Sequence, residues 1–184
     1  PYDNFIRVVR MPGTMLKAYL EQSARYFKVT GAGGAMHAAP DPAFINYNYE
    51  LLTGVEYTID LTRAPGDRVV GLSVKGRPVA PADSINVALT SYRASGTGGY
   101  GMIADAPIVR DNQAEIRQLL IDEITKRKEL KPADFFTQSW RLTPPALANE
   151  LQAAIDAQPD FEAVRRPASA PISALPTRRP STGP

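Results

Sequence analysis

The sequence contains no cysteine, which excludes disulfide bridges, thiolate metal sites and a cysteine nucleophile, and says little about compartment. Histidine is almost as scarce. His37 is the single one, and it lies in a Gly- and Pro-rich stretch where a surface position is expected, so neither a histidine-based triad nor a histidine-rich dinuclear metal centre can be built from this chain. No apolar run approaches the roughly 18 residues that a membrane-spanning helix requires, and no basic-then-apolar leader opens the sequence. An initiator methionine is also missing. The chain opens at Pro1 on what reads as the entrance to a strand, and we expect it to be part of a longer protein, with any export signal upstream. Finally, there is no Gly-Lys-Ser/Thr ending a phosphate loop and no G-x-G-x-x-G entering a helix.

Charge of one sign is lacking where it would matter. The formal net charge is +2, from 21 basic and 19 acidic residues. Four of the basic residues, Arg165, Arg166, Arg178 and Arg179, lie in the last 20 positions with no acid among them. Residues 1–164 therefore carry two more acids than bases, and a basic stripe for a nucleic-acid polymer is not evident.

What is present fits one compact domain followed by a tail: 184 residues, 43% of them hydrophobic, are enough for a sizeable core. "NFIRVVRM" (4–11) reads as a strand. Pro12 and Gly13 break it, and Leu16, Leu20, Ala24 and Phe27 then form one stripe of a helix over 14–28, with Thr14 as its cap. Residues 30–44 are small, Gly- and Pro-rich and aperiodic, which predicts a surface loop; residues 45–53 fit either a short helix or an extended connector. In "GVEYTIDL", Val55, Tyr57, Ile59 and Leu61 alternate with polar residues, "RAPGD" supplies a turn, and Val70, Leu72 and Val74 continue the phase, which predicts a β-hairpin. "SINVALTSY" is a further strand with Ile85, Val87 and Leu89 facing the core. Asn112 and Glu115 resemble a capping box for a helix bearing Ile116, Leu120 and Ile124. "SWRL" reads as a short strand and "PALANELQAAID" as a last amphipathic helix. From Gln158 the composition predicts a disordered tail, which sets boundaries of 1–157 for the domain and 158–184 for the tail. The fold class expected is α+β, a mixed sheet flanked by helices.

Two tyrosines stand off these patterns. Tyr92 has the parity opposite to Ile85, Val87 and Leu89, at the strand end where the loop of Gly96, Gly98, Gly99 and Gly101 begins; Tyr2 sits at the entrance to the first strand. Each neighbours a side chain able to read polar edges, Arg93 and Asn4 respectively. Two rings and an amide suit a purine or pyrimidine, which has two π faces and a hydrogen-bonding rim. The same residues equally suit a pair of half-buried rim tyrosines beside a loop that needs φ > 0. The acids Asp41, Asp60, Asp67, Asp83, Asp105 and Asp111 stand at turns or helix starts, and no pair of carboxylates calls for catalysis.

"PYDNFIRVVRMPGTMLKAYLEQSARYF", "GVEYTIDLTRAPGDRVVGLSVKGRPVAPADSINVAL" and "TSYRASGTGGYGM", in that order over about residues 1–142, resemble the C-terminal domain of the 5′-nucleotidase family, most of all its branch of 2′,3′-cyclic-nucleotide 2′-phosphodiesterase/3′-nucleotidases. The resemblance implies a nucleotide-recognition domain of a metal-dependent phosphohydrolase whose two divalent metal ions and catalysis belong to a separate N-terminal metallophosphoesterase domain. It maps the family's two stacking aromatics onto Tyr2 and Tyr92, with Asn4 near the base edge and Arg93, Ser95 and Gly96 following the second ring. It further implies a periplasmic or extracellular parent, a nucleotide or nucleoside as ligand, and no catalytic or metal-binding residue in this chain. The 5′-nucleotidase branch carries an acid in the Gly loop that is missing here, which favours the cyclic phosphodiesterase branch. A 5′-nucleotidase or UDP-sugar hydrolase type of domain, a nucleoside-binding module without an enzyme, and a protein-interaction domain are the alternatives.

Overall fold

A computed structural model describes residues 3–157; Tyr2 and the tail expected from Gln158 onward lie outside the described residues. In chain order the elements are β1 (Phe5–Pro12), α1 (Gly13–Ala24), β2 (Phe27–Thr30), β3 (His37–Pro40), β4 (Glu56–Asp60), β5 (Val69–Val74), β6 (Arg77–Pro78), β7 (Ser84–Thr90), α2 (Ser91–Ala94), β8 (Ile108–Glu115), α3 (Ile116–Arg127), β9 (Trp140–Thr143) and α4 (Pro145–Asp156). They form three sheets, ordered β7-β1-β8, β2-β3 and β6-β5-β4-β9. Since β4 pairs antiparallel with β5 and parallel with β9, the largest sheet is mixed, and the class is α+β as expected. None of the described helices is long and apolar enough to cross a membrane.

β1 is the centre of its sheet. It runs antiparallel to β7, with Ile6 opposite Thr90 and Pro12 opposite Ser84, so the start of β1 and the end of β7 share one edge of the molecule. Val9 and Met11 are buried from this strand, Val87 and Leu89 from β7, and Leu16, Tyr19, Leu20 and Ala24 from α1, each large side chain contributing about 1.5–3 kcal/mol of burial. The alternation read in β4 holds, with Val55, Tyr57, Ile59 and Leu61 all buried.

Several expectations are corrected. The first helix stops at Ala24 rather than continuing to 28, because Phe27–Thr30 pairs with His37–Pro40 across what was read as a loop. Thr14 is not its cap: Pro12 holds that position without a side-chain bond, and the Thr14 N–H donates to the Pro81 carbonyl instead, at 3.1 Å. The apolar phase of β5 shifts at Gly71. With φ +64° there and one extra residue opposite the Glu56–Thr58 step, a β-bulge turns Val69 into the core where Val70 was expected. Asn112 lies inside β8, which pairs with the free edge of β1, and Glu115 precedes α3 without capping it through its side chain. An open strand edge nearby thus overrides a local capping pattern. α3 itself has no buried residue. His37 is exposed and its Nδ1 lies 2.9 Å from Glu150 Oε1 on α4.

A buried charge joins α1 to the mixed sheet. Glu21, facing inward from the helix, accepts the N–H groups of Val69 (2.7 Å) and Arg68 (3.1 Å) at the start of β5. Arg68, also buried, returns its guanidinium to the carbonyls of Ala24 and Phe27, the first of which the helix end leaves without an intrahelical donor. Glu21→Ala would strand two buried donors and is expected to lower unfolding free energy by about 2–4 kcal/mol in urea denaturation. Lys17→Ala, which removes an exposed ammonium 3.7 Å from Glu21 and 3.4 Å from Asp67, is expected to change it by less than about 1 kcal/mol.

Candidate functional site

Where the start of β1 meets the end of β7, a cleft of about 790 Å³ opens, lined by Asp3, Asn4, Tyr47, Glu50, Thr90, Ser91, Tyr92 and Arg93. Its size suits a small-molecule ligand. The strand pairing explains why residues some 86 positions apart meet here, and the Phe5 N–H confirms it by donating to Ser91 Oγ at 3.1 Å. A second surface cleft, beside α1 and the β4–β5 turn, is lined by Lys17, Glu21, Gln22 and Arg25 and offers no aromatic ring.

Of the residues singled out in the sequence, Asn4 and Tyr92 reach the first cleft together. Tyr92 is 41% exposed, a large apolar surface on a four-residue helix, α2, that Thr90 caps by accepting the Arg93 N–H at 3.1 Å. Its carbonyl is held by the hydroxyls of Ser95 (2.7 Å) and Thr97, and the Gly96 N–H closes onto the Arg93 carbonyl at 2.9 Å. Ser95 and Gly96 therefore shape the turn that carries the ring and are not among the described residues lining the cleft.

Arg93 departs from its expected role as a reader of polar edges. It is 1% exposed. Nε and Nη2 each lie 2.8 Å from Glu50 Oε1, Nη1 donates to the Thr97 carbonyl at 2.6 Å, and Nη2 lies 3.4 Å from Asn48 Oδ1. The guanidinium also stacks on Tyr100, 4.1 Å from its centroid, with Tyr92 at 5.4 Å. Tyr100, itself buried, donates to the Asn48 carbonyl at 2.7 Å and packs on Tyr19 at 4.5 Å. Burial, reinforced by the Glu50 carboxylate, holds the Tyr19 phenol far above its usual range, and burial raises Tyr100 as well. Both stay neutral, so Arg93 and Glu50 are the charges of this cluster.

Sequence reading passed over Tyr47 and Glu50, which also line the cleft. Tyr47 is 71% exposed on a single 3₁₀ turn, Asn46–Asn48. The segment 45–53 lacks any period, and an aromatic residue in an aperiodic polar stretch was the available signal. Among the described residues no three His, Cys, Asp or Glu side chains come together as a metal site.

The Gly loop is close-packed against this cluster at one point. Gly98 has φ +72°, and a Cβ there would lie 2.2 Å from Asn48 Oδ1 and 2.4 Å from Arg93 Nη1. Gly98→Ala is expected to lower stability by about 2–4 kcal/mol through the backbone and the displaced Arg93. Gly101→Ala meets nothing within 4 Å and is expected to stay within about 0.5 kcal/mol in the same thermal-melt series.

A family model for the 5′-nucleotidase C-terminal domain matches residues 1–105. The trifunctional nucleotide phosphoesterase protein YfkN of Bacillus subtilis is 32% identical over 157 residues, covering 78% of this chain and 10% of that protein. A 2′,3′-cyclic-nucleotide 2′-phosphodiesterase/3′-nucleotidase of Haemophilus influenzae is 32% identical over 180 residues, covering 89% of this chain and 27% of that protein. This chain thus spans between a tenth and just over a quarter of these relatives. Among solved structures, a Staphylococcus aureus protein described as a candidate 5′-nucleotidase, in complex with alpha-ketoglutarate, superposes with a TM-score of 0.65 at 30% identity over 77% of this chain and 28% of that one. With more than half of its length matched by the family model and its fold shared with a solved relative, the chain belongs to the 5′-nucleotidase C-terminal domain family.

Proposed function

We propose that this domain grips the nucleoside part of the substrate of a metal-dependent phosphohydrolase acting on nucleoside 2′,3′-cyclic phosphates and 3′-nucleotides. The observation that carries the reading is Tyr92: a tyrosine exposed on the wall of a ligand-sized cleft, on a turn fixed by Thr90, Ser95 and Thr97. Because the backbone that carries the ring is already fixed, little main-chain freedom is lost when a base stacks on it, and stacking contributes about 1–3 kcal/mol per base. Asn4 on the same wall offers both a donor and an acceptor to a base edge, and Tyr2, two residues before it, completes the proposed pair of rings.

The charges of the cleft support recognition of the uncharged part of a nucleotide. Arg93 is neutralised by Glu50, and Asp3 lies 3.2 Å from Arg117, so the described lining holds no unpaired cation for a phosphate. The phosphate, the two divalent metal ions and the attack of water on phosphorus then belong to an N-terminal domain of the parent chain, and this domain contributes by positioning. The names of the B. subtilis and H. influenzae relatives support this substrate class. The lack of an acid in the loop Gly96–Gly99 supports the cyclic phosphodiesterase branch over the 5′-nucleotidase branch, and a periplasmic or extracellular parent accords with the same family reading.

Isothermal titration of this chain with adenosine tests the proposal. Tyr92→Ala is expected to weaken binding by roughly 5- to 150-fold, the equivalent of one lost stacking contact, and Tyr92→Phe to retain it, both with unchanged circular dichroism. A wild-type chain that shows no saturable binding of any nucleoside overturns it.

A further inference from the structure

We infer that Glu50 is a specificity residue, its carboxylate accepting a hydrogen bond from an N–H or O–H donor of the bound nucleoside. The inference rests on the nucleoside reading above and adds to it a second point of recognition in the same cleft as Tyr92.

Glu50 is held from both ends. Its own N–H donates to Ser23 Oγ at 2.7 Å, and Ser23, buried on α1, returns its hydroxyl to the Glu50 carbonyl. At the other end Arg93 approaches Oε1 from two nitrogens, both at 2.8 Å, and makes neither contact with Oε2. The Arg93 side chain is 2% exposed, whereas Glu50 keeps 29% of its side chain exposed, in the cleft. The result is a fixed carboxylate in a ligand-sized site, and a carboxylate offers acceptors alone.

The other candidates for that task are weaker. Asp3, the second acid of the cleft, is more than half exposed and engaged by Arg117. The turn after Tyr92 consists of Ala94, Ser95, Gly96, Thr97, Gly98 and Gly99 and holds no acid. A nucleoside presents two kinds of donor to such a group: the ribose hydroxyls, shared by all ribonucleosides, and the exocyclic amine of some bases. Because Arg93 is already satisfied by Glu50, Asn48 and Thr97, the carboxylate is oriented before ligand arrives, and a ligand lacking the matching donor removes water from it and gives no hydrogen bond in return.

The test is titration of the wild-type chain and of Glu50→Gln with adenosine, 2′-deoxyadenosine, 3′-deoxyadenosine and purine riboside, which lacks the 6-amino group. In the wild type at least one of the three analogues is expected to bind tenfold or more weaker than adenosine; the deoxy pair identifies a ribose contact and purine riboside a base contact. Glu50→Gln is expected to weaken adenosine by a similar factor and to abolish discrimination against that analogue. Wild-type affinities within twofold across the series overturn the inference, whether or not the variant folds; if Tyr92→Ala still weakens all four, the stacking site survives and Glu50 alone is excluded. A uniform loss on Glu50→Gln with discrimination intact also overturns it, assigning Glu50 solely to holding Arg93. Absence of binding to all four ligands overturns both readings together.

Discussion

The candidate site depends on one ion pair, between the buried Arg93 and the partly exposed Glu50. Arg93 and Glu50 come from segments 43 residues apart, and the guanidinium reaches the carboxylate, two carbonyl-bearing loops and an aromatic face at once. A buried charge is tolerable only when its donors are matched, and the loss of one partner is far more costly than the pair's net contribution. The network therefore acts chiefly as a specification. It fixes where the turn after β7 sits relative to the 3₁₀ turn at Asn46–Asn48, and both turns contribute to the lining of the cleft.

Around this pin the rest of the architecture works by juxtaposition. An antiparallel pair places the beginning of one strand beside the end of the other, and β1 with β7 does so for Asn4 and Tyr92. α1 lies under both walls: Tyr19 packs on Tyr100, and Ser23 holds the backbone of Glu50. Glu21 on the same helix secures the start of β5. A single helix thus ties the cleft to the mixed sheet through three residues spaced two apart.

How much of this was legible in the sequence follows from the range of the forces involved. β4 was legible because its alternation is local and both its neighbours leave one face to the core. β3 and β8 were not, since a four-residue run such as His37–Pro40 becomes a strand only when Phe27–Thr30 is beside it, and Asn112 reads as a cap until the edge of β1 is known. Tyr92 could be found from parity alone, a side chain out of phase at a strand end. The direction of Arg93 could not be found in this way. Its inward turn is dictated by Glu50, whose own segment has no period to mark it, and Tyr47 was hidden for the same reason.

The pairing of residues 5–12 with 84–90 also bears on when the cleft comes into being. The cleft is closed by contacts across about half of the chain, whose loop-closure entropy must be lost before any contact offsets it, the kind of pairing that slows folding. α3, with no buried residue, is tied to the cleft only at its first turn, where the Ile116 N–H donates to the Asn4 carbonyl and Arg117 pairs with Asp3, and its later turns can fray independently. Occupancy of the cleft is consequently a report on the pairing of β1 with β7, and a ligand that binds the folded chain there stabilises it against unfolding.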